Sequence, residues 1–356
     1  MRVNLREFEA LAREQVPPMA WAYYAGGAND EVSLRDADRA WERFRLRPRV
    51  LVDVSAVDTR TTVLGTPLAV PVLTAPCALN QLAHPDGERA VARAAAAAGV
   101  IQVLSTASSV GLEEVAAEVA APRWFQLYCY RDRAITTDLV HRAEAAGYGA
   151  ICLTVDLPVL GRREREVRVS FSAPAGITMR NLERYASDVM TAQAGASALA
   201  HYVANQWDAS LTWDVVPWLR SITRLPVVLK GILTREDAAL AVEHGAQAVI
   251  VSTHGGRQLD RVVASADALA EVVAAVDGRA DVLVDGGIRR GTDVLVALAL
   301  GARAVLIGRP YLWGLAVDGE AGVAQVLQLL RDEVALAMAL SGRTTVAAID
   351  RGVLAP

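Results

Sequence analysis

The residues with the most chemical content stand together in one run, Val249-Ile250-Val251-Ser252-Thr253-His254-Gly255-Gly256-Arg257-Gln258-Leu259-Asp260. An apolar, β-branched segment ends there in a histidine, two glycines and an arginine. A parallel strand covered on both faces reads as continuous Val and Ile, and its functional residues sit just past its C-terminal end. The glycines let the backbone approach a ligand closely. Histidine exchanges a proton near neutral pH, while arginine stays charged and grips a carboxylate through two parallel hydrogen bonds. The run therefore offers a base beside a fixed cation at the mouth of a cleft. A core histidine next to a structural salt bridge is the competing reading, and the other strand ends weigh against it.

From about Leu68 onward, short β-branched runs alternate with Ala-rich stretches whose apolar residues recur at three and four. Strands are expected at residues 69–73, 101–104, 123–127, 150–155, 226–229, 248–251, 281–284 and 304–307. Helices are expected between them, for example at 87–98, 137–146, 235–244 and 292–300, and Gly99, Gly147, Gly245 and Gly301 suit left-handed caps. This alternation implies βαβ units and a parallel sheet. Eight such units at this length predict an α/β fold, a closed (β/α)8 TIM barrel. An open doubly wound sheet is the alternative, but its G-x-G-x-x-G loop is absent after the first strand, where the chain reads Thr74-Ala75-Pro76-Cys77-Ala78. Residues 1–356 read as one domain: a helical cap over 1–60, the barrel over 61–345, and a lid-like insert over 165–211. Pro17 and Pro18 mark the entry to a second cap helix. The insert belongs to the unusually long separation of the fourth and fifth strands, and helices are expected in it at 181–190 and 197–206.

The 356 residues are 53% hydrophobic and 21% charged, with a formal net charge of -4. Mild acidity argues against nucleic acid as a partner, since phosphate backbones need concentrated Lys and Arg. Cys77, Cys129 and Cys152 have neither the number nor the spacing of a disulfide framework or zinc site, and no metal is expected. Residues 1–14 carry charges throughout, unlike a signal peptide. No apolar run approaches the ~20 residues that span a bilayer. A soluble, cytoplasmic protein without membrane contact is expected.

Chemistry collects at the C-terminal strand ends of such barrels. Here those ends carry Pro76, Cys77 and Ala78; Ser105; Gln126 and Tyr128; Thr154 and Asp156; Lys230; Ser252, His254 and Arg257; Asp285 to Gly287; and Gly308 with Arg309. A lysine ending a Val-Val-Leu strand is costly to bury unless an anion meets it. The last two ends, Asp285-Gly286-Gly287-Ile288-Arg289 and Gly308-Arg309, combine glycine N–H groups with arginines where these barrels hold phosphate. A phosphate anchor, a lysine and a ring of amides and hydroxyls suit flavin mononucleotide, the lysine facing the charge that a reduced ring carries. A pyridoxal phosphate site, with the lysine as Schiff base, stays open on these residues alone.

Taken together, the motifs resemble the FMN-dependent 2-hydroxy acid oxidases and dehydrogenases, the group of glycolate, lactate and hydroxymandelate oxidases. The resemblance spans nearly the whole chain. It is carried by Tyr23-Tyr24-Ala25-Gly26-Gly27, Ala83-His84-Pro85-Asp86-Gly87-Glu88, Phe125-Gln126-Leu127-Tyr128, Thr154-Val155-Asp156, Leu160-Gly161-Arg162-Arg163, Leu229-Lys230-Gly231, the His254 run, and the segments 285–293 and 307–310. It implies His254 as the catalytic base, with Asp156 orienting it. It implies Arg163, Arg257 and Tyr23 on the substrate carboxylate and Tyr128 on the substrate oxygen. FMN would be held by Pro76, Cys77, Ala78, Ser105, Gln126, Thr154, Lys230, Ser252, Asp285, Gly286, Gly287, Ile288, Arg289, Gly308 and Arg309. The family also implies a homo-oligomer, a tetramer.

Three positions depart from the family pattern. Ala107 replaces a bulky tryptophan, which predicts a pocket wider than that of glycolate oxidase, since one buried indole covers roughly 200 Å². Thr253 stands where Asn usually precedes the histidine, and no Asn precedes Phe171. The resulting expectation is oxidation of an (S)-2-hydroxy acid to a 2-oxo acid, with O2 reoxidising the flavin to yield H2O2. Lactate and longer or aromatic acids such as mandelate and 4-hydroxymandelate are the candidate substrates. A dehydrogenase passing electrons to a quinone is the alternative. A sugar-phosphate isomerase or lyase, and a non-catalytic flavin scaffold, are the competing classes.

Overall fold

The computed structural model describes residues 2–185 and 206–356. A two-stranded hairpin, β1 (Thr61–Val63) and β2 (Thr66–Leu68), precedes eight further strands. These are β3 (Val72–Thr74), β4 (Gln102–Ser105), β5 (Arg123–Leu127), β6 (Ile151–Thr154), β7 (Val227–Ile232), β8 (Ala248–Val251), β9 (Asp281–Asp285) and β10 (Ala304–Ile307). All eight run parallel and close in the order β10-β3-β4-β5-β6-β7-β8-β9. The seam pairs Val305 with Val72 and Ile307 with Thr74. The expected (β/α)8 barrel is the observed fold.

Strand alternation divides the core in two. Leu73, Ile101, Val103, Trp124, Cys152, Val228, Ile250, Leu283 and Leu306 fill the barrel interior. Their neighbours Val72, Leu104, Phe125, Leu153, Leu229, Val249, Val284 and Val305 join the larger cluster shared with the helices. Because both faces are covered, the strands read as unbroken apolar runs.

The differences from the sequence reading have local causes. The first barrel strand starts at Val72 rather than 69, and the fifth at Val227 rather than 226, because Pro71 and Pro226 lack an N–H for the ladder. The fifth strand also runs on to Ile232, past a register shift between Lys230 and Ile232. The cap holds three helices, α1 (Leu5–Gln15), α2 (Pro18–Ala25) and α3 (Val32–Glu42). Asn4 caps α1 through the N–H groups of Arg6 and Glu7, and Pro18 opens α2. The helical expectation fails over 43–60, where proline and β-branched residues disfavour helix. That course is fixed instead by bridges from Leu46 to Leu354 and from Asp58 to Thr345. Gly99, Gly147, Gly245 and Gly301 all take positive φ, as expected.

The hairpin β1–β2 was not legible as such. It plugs the N-terminal end of the barrel: Val63 and Leu68 are buried with the interior side chains, and the Leu64 N–H donates to the Asp281 carboxylate at 2.8 Å. In the separation of the fourth and fifth strands lie short helical turns at Glu164–Arg168 and Arg180–Tyr185 and a helix at Val215–Ile222. The helix expected at 181–190 is a 3-10 turn as far as Tyr185. Its remainder, and the helix expected at 197–206 apart from its last residue, lie outside the described residues. No helix among the described residues is long and apolar enough to cross a membrane.

The cap is locked onto the opposite, C-terminal face. The Val32 and Ser33 N–H groups donate to Asp260, and Trp41 Nε1 donates to the Gly286 carbonyl at 2.8 Å. A Cβ at Gly287 would lie 2.0 Å from the Ala37 carbonyl oxygen, so only glycine admits α3 this close.

The plug generates a stability prediction that is independent of the cleft. Leu68→Ala should cost about 2–5 kcal/mol in urea unfolding, the usual range for a buried leucine, whereas a loss well under 1 kcal/mol would show that the hairpin is peripheral.

Candidate active site

The strand ends open into one cavity. Tyr23, Pro76, Cys77, Ala78, Ser105, Tyr128, Thr154, Arg163, Lys230, His254, Arg257, Asp285, Gly286, Gly287, Ile288, Arg289, Gly308 and Arg309 all line it. Residues from nine regions of the sequence, expected from the strand ends and from the family resemblance, thus converge. Asp156, Gln126 and Ser252 stand behind the wall. Gln126 is buried, donates to Thr154 Oγ1 at 3.0 Å and accepts from Ser105 and the Thr106 N–H, so it acts on the cavity through those neighbours. Ser252 accepts from Lys230 Nζ at 2.8 Å and from the His254 N–H at 3.1 Å.

His254 follows β8 in a turn where His254, Gly255 and Gly256 all take left-handed conformations, with φ of 54, 65 and 70°. For a histidine this is a strained backbone, of the kind that concentrates at functional sites. Its Nδ1 meets Asp156 Oδ1 at 2.9 Å, which leaves Nε2 for a ligand. Burial pushes the imidazole below its ordinary value of 6.5, and Asp156 offsets part of that. Burial opposes the charge on Asp156 too, yet His254 and Lys230 hold its carboxyl below the usual carboxylate range. Asp156 has room for this only because the facing residue is Gly231, at φ +114: a Cβ there would lie 2.5 Å from the Asp156 Cβ. The shift of register in β7 brings Gly231 to that point.

Lys230 is the single lysine of a chain with 36 Lys and Arg residues. Burial works against its charge, but Asp285 at 3.2 Å, together with Asp156, raises its pKa above the ordinary value. It therefore stays an ammonium inside the barrel mouth.

Arg163 and Arg257 face the cavity from different loops and share one carboxylate oxygen, Glu166 Oε1, at 3.5 and 3.0 Å. Arg257 also donates to the carbonyls of Tyr23 and Gly26 and lies over the Tyr23 ring, 5.0 Å from its centre. Burial lowers the pKa of Arg163, and Arg257 adds to that. Tyr23 stacks on Phe171 at 4.4 Å, and burial pushes its phenol up to about 12. Tyr128 stacks on Trp207 at 3.8 Å, with its phenol also pushed up by burial. Ala107 and Trp207 line the same cavity. Thr253 does not replace an amide here: its Oγ1 is buried without a partner among the described residues.

Arg309 differs from the other cations. It is half-buried, its three nitrogens donate to the carbonyls of Tyr24, Gly255 and Gly26 at 2.9–3.0 Å, and no carboxylate among the described residues pairs with it. Burial drags its pKa down to about 9. Beside it are the positive-φ glycines Gly286 and Gly287 and a helix, Arg309–Leu340, whose N-terminus has no side-chain cap. A half-buried cation, an uncapped helix N-terminus and two glycines together make an anion site.

Comparison with known proteins agrees with this geometry. The family model described as FMN-dependent dehydrogenase matches residues 12–356. The chain belongs to that family. An L-lactate oxidase of Nostoc sp. is 54% identical over 357 residues, covering 99% of this chain and 98% of the relative. Glycolate oxidase 3 of Arabidopsis thaliana is 51% identical over 348 residues, covering 98% and 94%. A crystal structure of mandelate oxidase with (S)-4-hydroxymandelic acid has 47% identity and a TM-score of 0.95, covering 99% and 98%.

FMN is the cofactor of this family, and the cavity fits it. The unpaired Arg309 and the glycines beside it suit the phosphate, while Lys230 and the hydroxyl groups of Ser105 and Thr154 suit the polar edge of the ring. Sequence reasoning missed Glu166, Trp207 and the steric role of Gly231. A spacing of three from Arg163 was a usable signal for Glu166, and a lone lysine was an unused one for Lys230. Trp207 offered none, since its contact with Tyr128 crosses the insert.

The packing of Gly231 makes a direct prediction. Gly231→Ala should push Asp156 off His254, and because Asp156 raises the imidazole pKa, His254 should then titrate lower than in the wild type. NMR titration of the ring tests this, and an unchanged His254 titration would contradict the assignment.

Proposed function

We propose that this protein oxidises an (S)-2-hydroxy acid to the 2-oxo acid, with O2 as electron acceptor and H2O2 as the second product. One observation carries the reading: a histidine–carboxylate pair and two cavity-facing arginines share one cleft with the FMN anchor. FMN, when bound, accepts the hydrogen and electron pair that leave the substrate Cα. The chain's own residues supply the rest. Arg163 and Arg257 hold the substrate carboxylate, with Tyr23 beside them. Tyr128, kept protonated by its burial, donates to the substrate oxygen. His254 takes the hydroxyl proton at Nε2, and Asp156 stabilises the imidazolium that forms. FMN is held by the strand-end groups Pro76, Cys77, Ala78, Ser105, Thr154, Lys230, the 285–289 turn, Gly308 and Arg309, with Gln126 and Ser252 ordering them.

The relatives' names support an oxidase over a quinone-linked dehydrogenase. Ala107 and Trp207 favour a substrate side chain larger than that of glycolate. The small residue opens the wall, and the indole stacked on Tyr128 presents an apolar aromatic surface. Lactate, mandelate and 4-hydroxymandelate are the acids to try. Cytoplasmic location agrees with the composition. Assembly as a homotetramer agrees with exposed apolar side chains at Val50, Leu51 and Leu340, which neighbour one another through the Arg49–Ser341 backbone contact.

His254→Ala should abolish flavin reduction by substrate, a loss of roughly 10²–10⁴-fold for a general base, while leaving FMN bound. Stopped-flow absorbance tests it, and an unchanged rate overturns the role of His254. The base must be neutral, and burial holds its pKa below 6.5. The reduction rate should therefore stay flat through neutral pH and fall only on acidification below that value, whereas a midpoint above 6.5 would contradict the assignment. In air, peroxide should appear in step with 2-oxo acid. Product forming only with an added quinone or dye would favour the dehydrogenase.

A further inference from the structure

Glu166 is almost wholly buried, on the short helix Glu164–Arg168, and its carboxylate lies against both arginines of the cleft. One oxygen, Oε1, serves Arg257 at 3.0 Å and Arg163 at 3.5 Å, while Oε2 is buried without a partner among the described residues. Of the neighbouring charges, Asp285 faces Lys230, Asp156 lies against the neutral ring of His254, and Arg309 stands at the anion site described above. Two guanidiniums and one carboxylate thus leave a single positive charge for whatever enters beside Arg163 and Arg257.

We propose that Glu166 reduces the charge of the Arg163–Arg257 pair to one and so selects acids that carry one negative charge over those that carry two. The inference rests on the reading above, in which Arg163 and Arg257 receive the substrate carboxylate. A single carboxylate neutralises the trio. A second carboxylate on the same small acid meets Glu166 at close range in a desolvated site, where like charges repel strongly. The lone pair of Oε2 sharpens this, because no donor among the described residues screens it. Glu166 touches neither the reacting carbon nor the hydroxyl in this scheme, and acts as a specificity-determining residue through the arginines.

The test uses propionate and malonate, inert carboxylates of similar size with one and two charges. Their dissociation constants on oxidised holoenzyme are read from the perturbation of flavin absorbance at pH 8. Wild type should bind propionate more tightly than malonate. Glu166→Gln should shift the ratio towards malonate by roughly ten- to hundredfold, the size expected for removing one repulsive contact in a partly desolvated site. Glu166→Asp, which keeps the charge, should retain the wild-type preference. A merely structural glutamate would weaken both ligands alike and leave the ratio in place, which would overturn the proposal. So would a wild type that prefers malonate, a comparison that decides even if Glu166→Gln does not fold. Failure of wild type to bind either ligand would instead remove the carboxylate-binding reading itself, and the proposal with it.

Discussion

The cleft is organised around a half-buried guanidinium that meets no carboxylate among the described residues. Arg309 is held by three backbone carbonyls, two from the cap and one from the turn after β8. Dipoles of this kind fix its position but do not neutralise it, and an unpaired charge in such a place costs several kcal/mol. Only an anion repays that cost. This one constraint ties the cap to the barrel, since Tyr24, Gly26 and Gly255 must come together for the arginine to be held at all. In the proposed reading the arginine receives the phosphate end of FMN at the ends of β9 and β10, which leaves the other side of the mouth for chemistry.

Around that anchor, the other basic groups each meet a carboxylate. Lys230 leans on Asp285, His254 on Asp156, and the two arginines on Glu166. The consequence is a cleft that is densely charged yet close to balanced before anything binds. Each pair also does local work. Asp156 holds the ring of His254 by one nitrogen and leaves the other open, and Asp285 keeps the lone lysine protonated in an apolar barrel. Glycines make the pairs sterically feasible, Gly231 for Asp156 and Gly287 for the docking of α3.

Most of this was readable in the chain because the barrel puts its chemistry at a repeated, recognisable place. A β-branched run followed by a polar residue marks a strand end, and all eight barrel strands were found within a few residues of their observed positions. The errors came at prolines, where Pro71 and Pro226 resemble strand residues in hydrophobicity but have no donor. The plug β1–β2 escaped because three-residue strands are too short to show a period. Glu166 and Trp207 escaped for a different reason. The contacts of Glu166 with Arg257 and of Trp207 with Tyr128 span about ninety and eighty residues, and local pattern shows neither, although the i,i+3 spacing from Arg163 does mark Glu166 as an arginine partner. Cap residues 43–60 were read as helix because the segment before them is helical, although their own β-branched and proline content argued otherwise.

The most direct test of the central claim is to measure FMN and riboflavin binding to the apoprotein side by side. The two ligands share the ring and differ only in the phosphate that Arg309 and the glycine turns are built to receive. If the half-buried guanidinium is satisfied by that phosphate, FMN should bind more tightly by roughly a hundredfold or more, the worth of two or so charge-assisted hydrogen bonds. Equal affinity for the two would contradict the account.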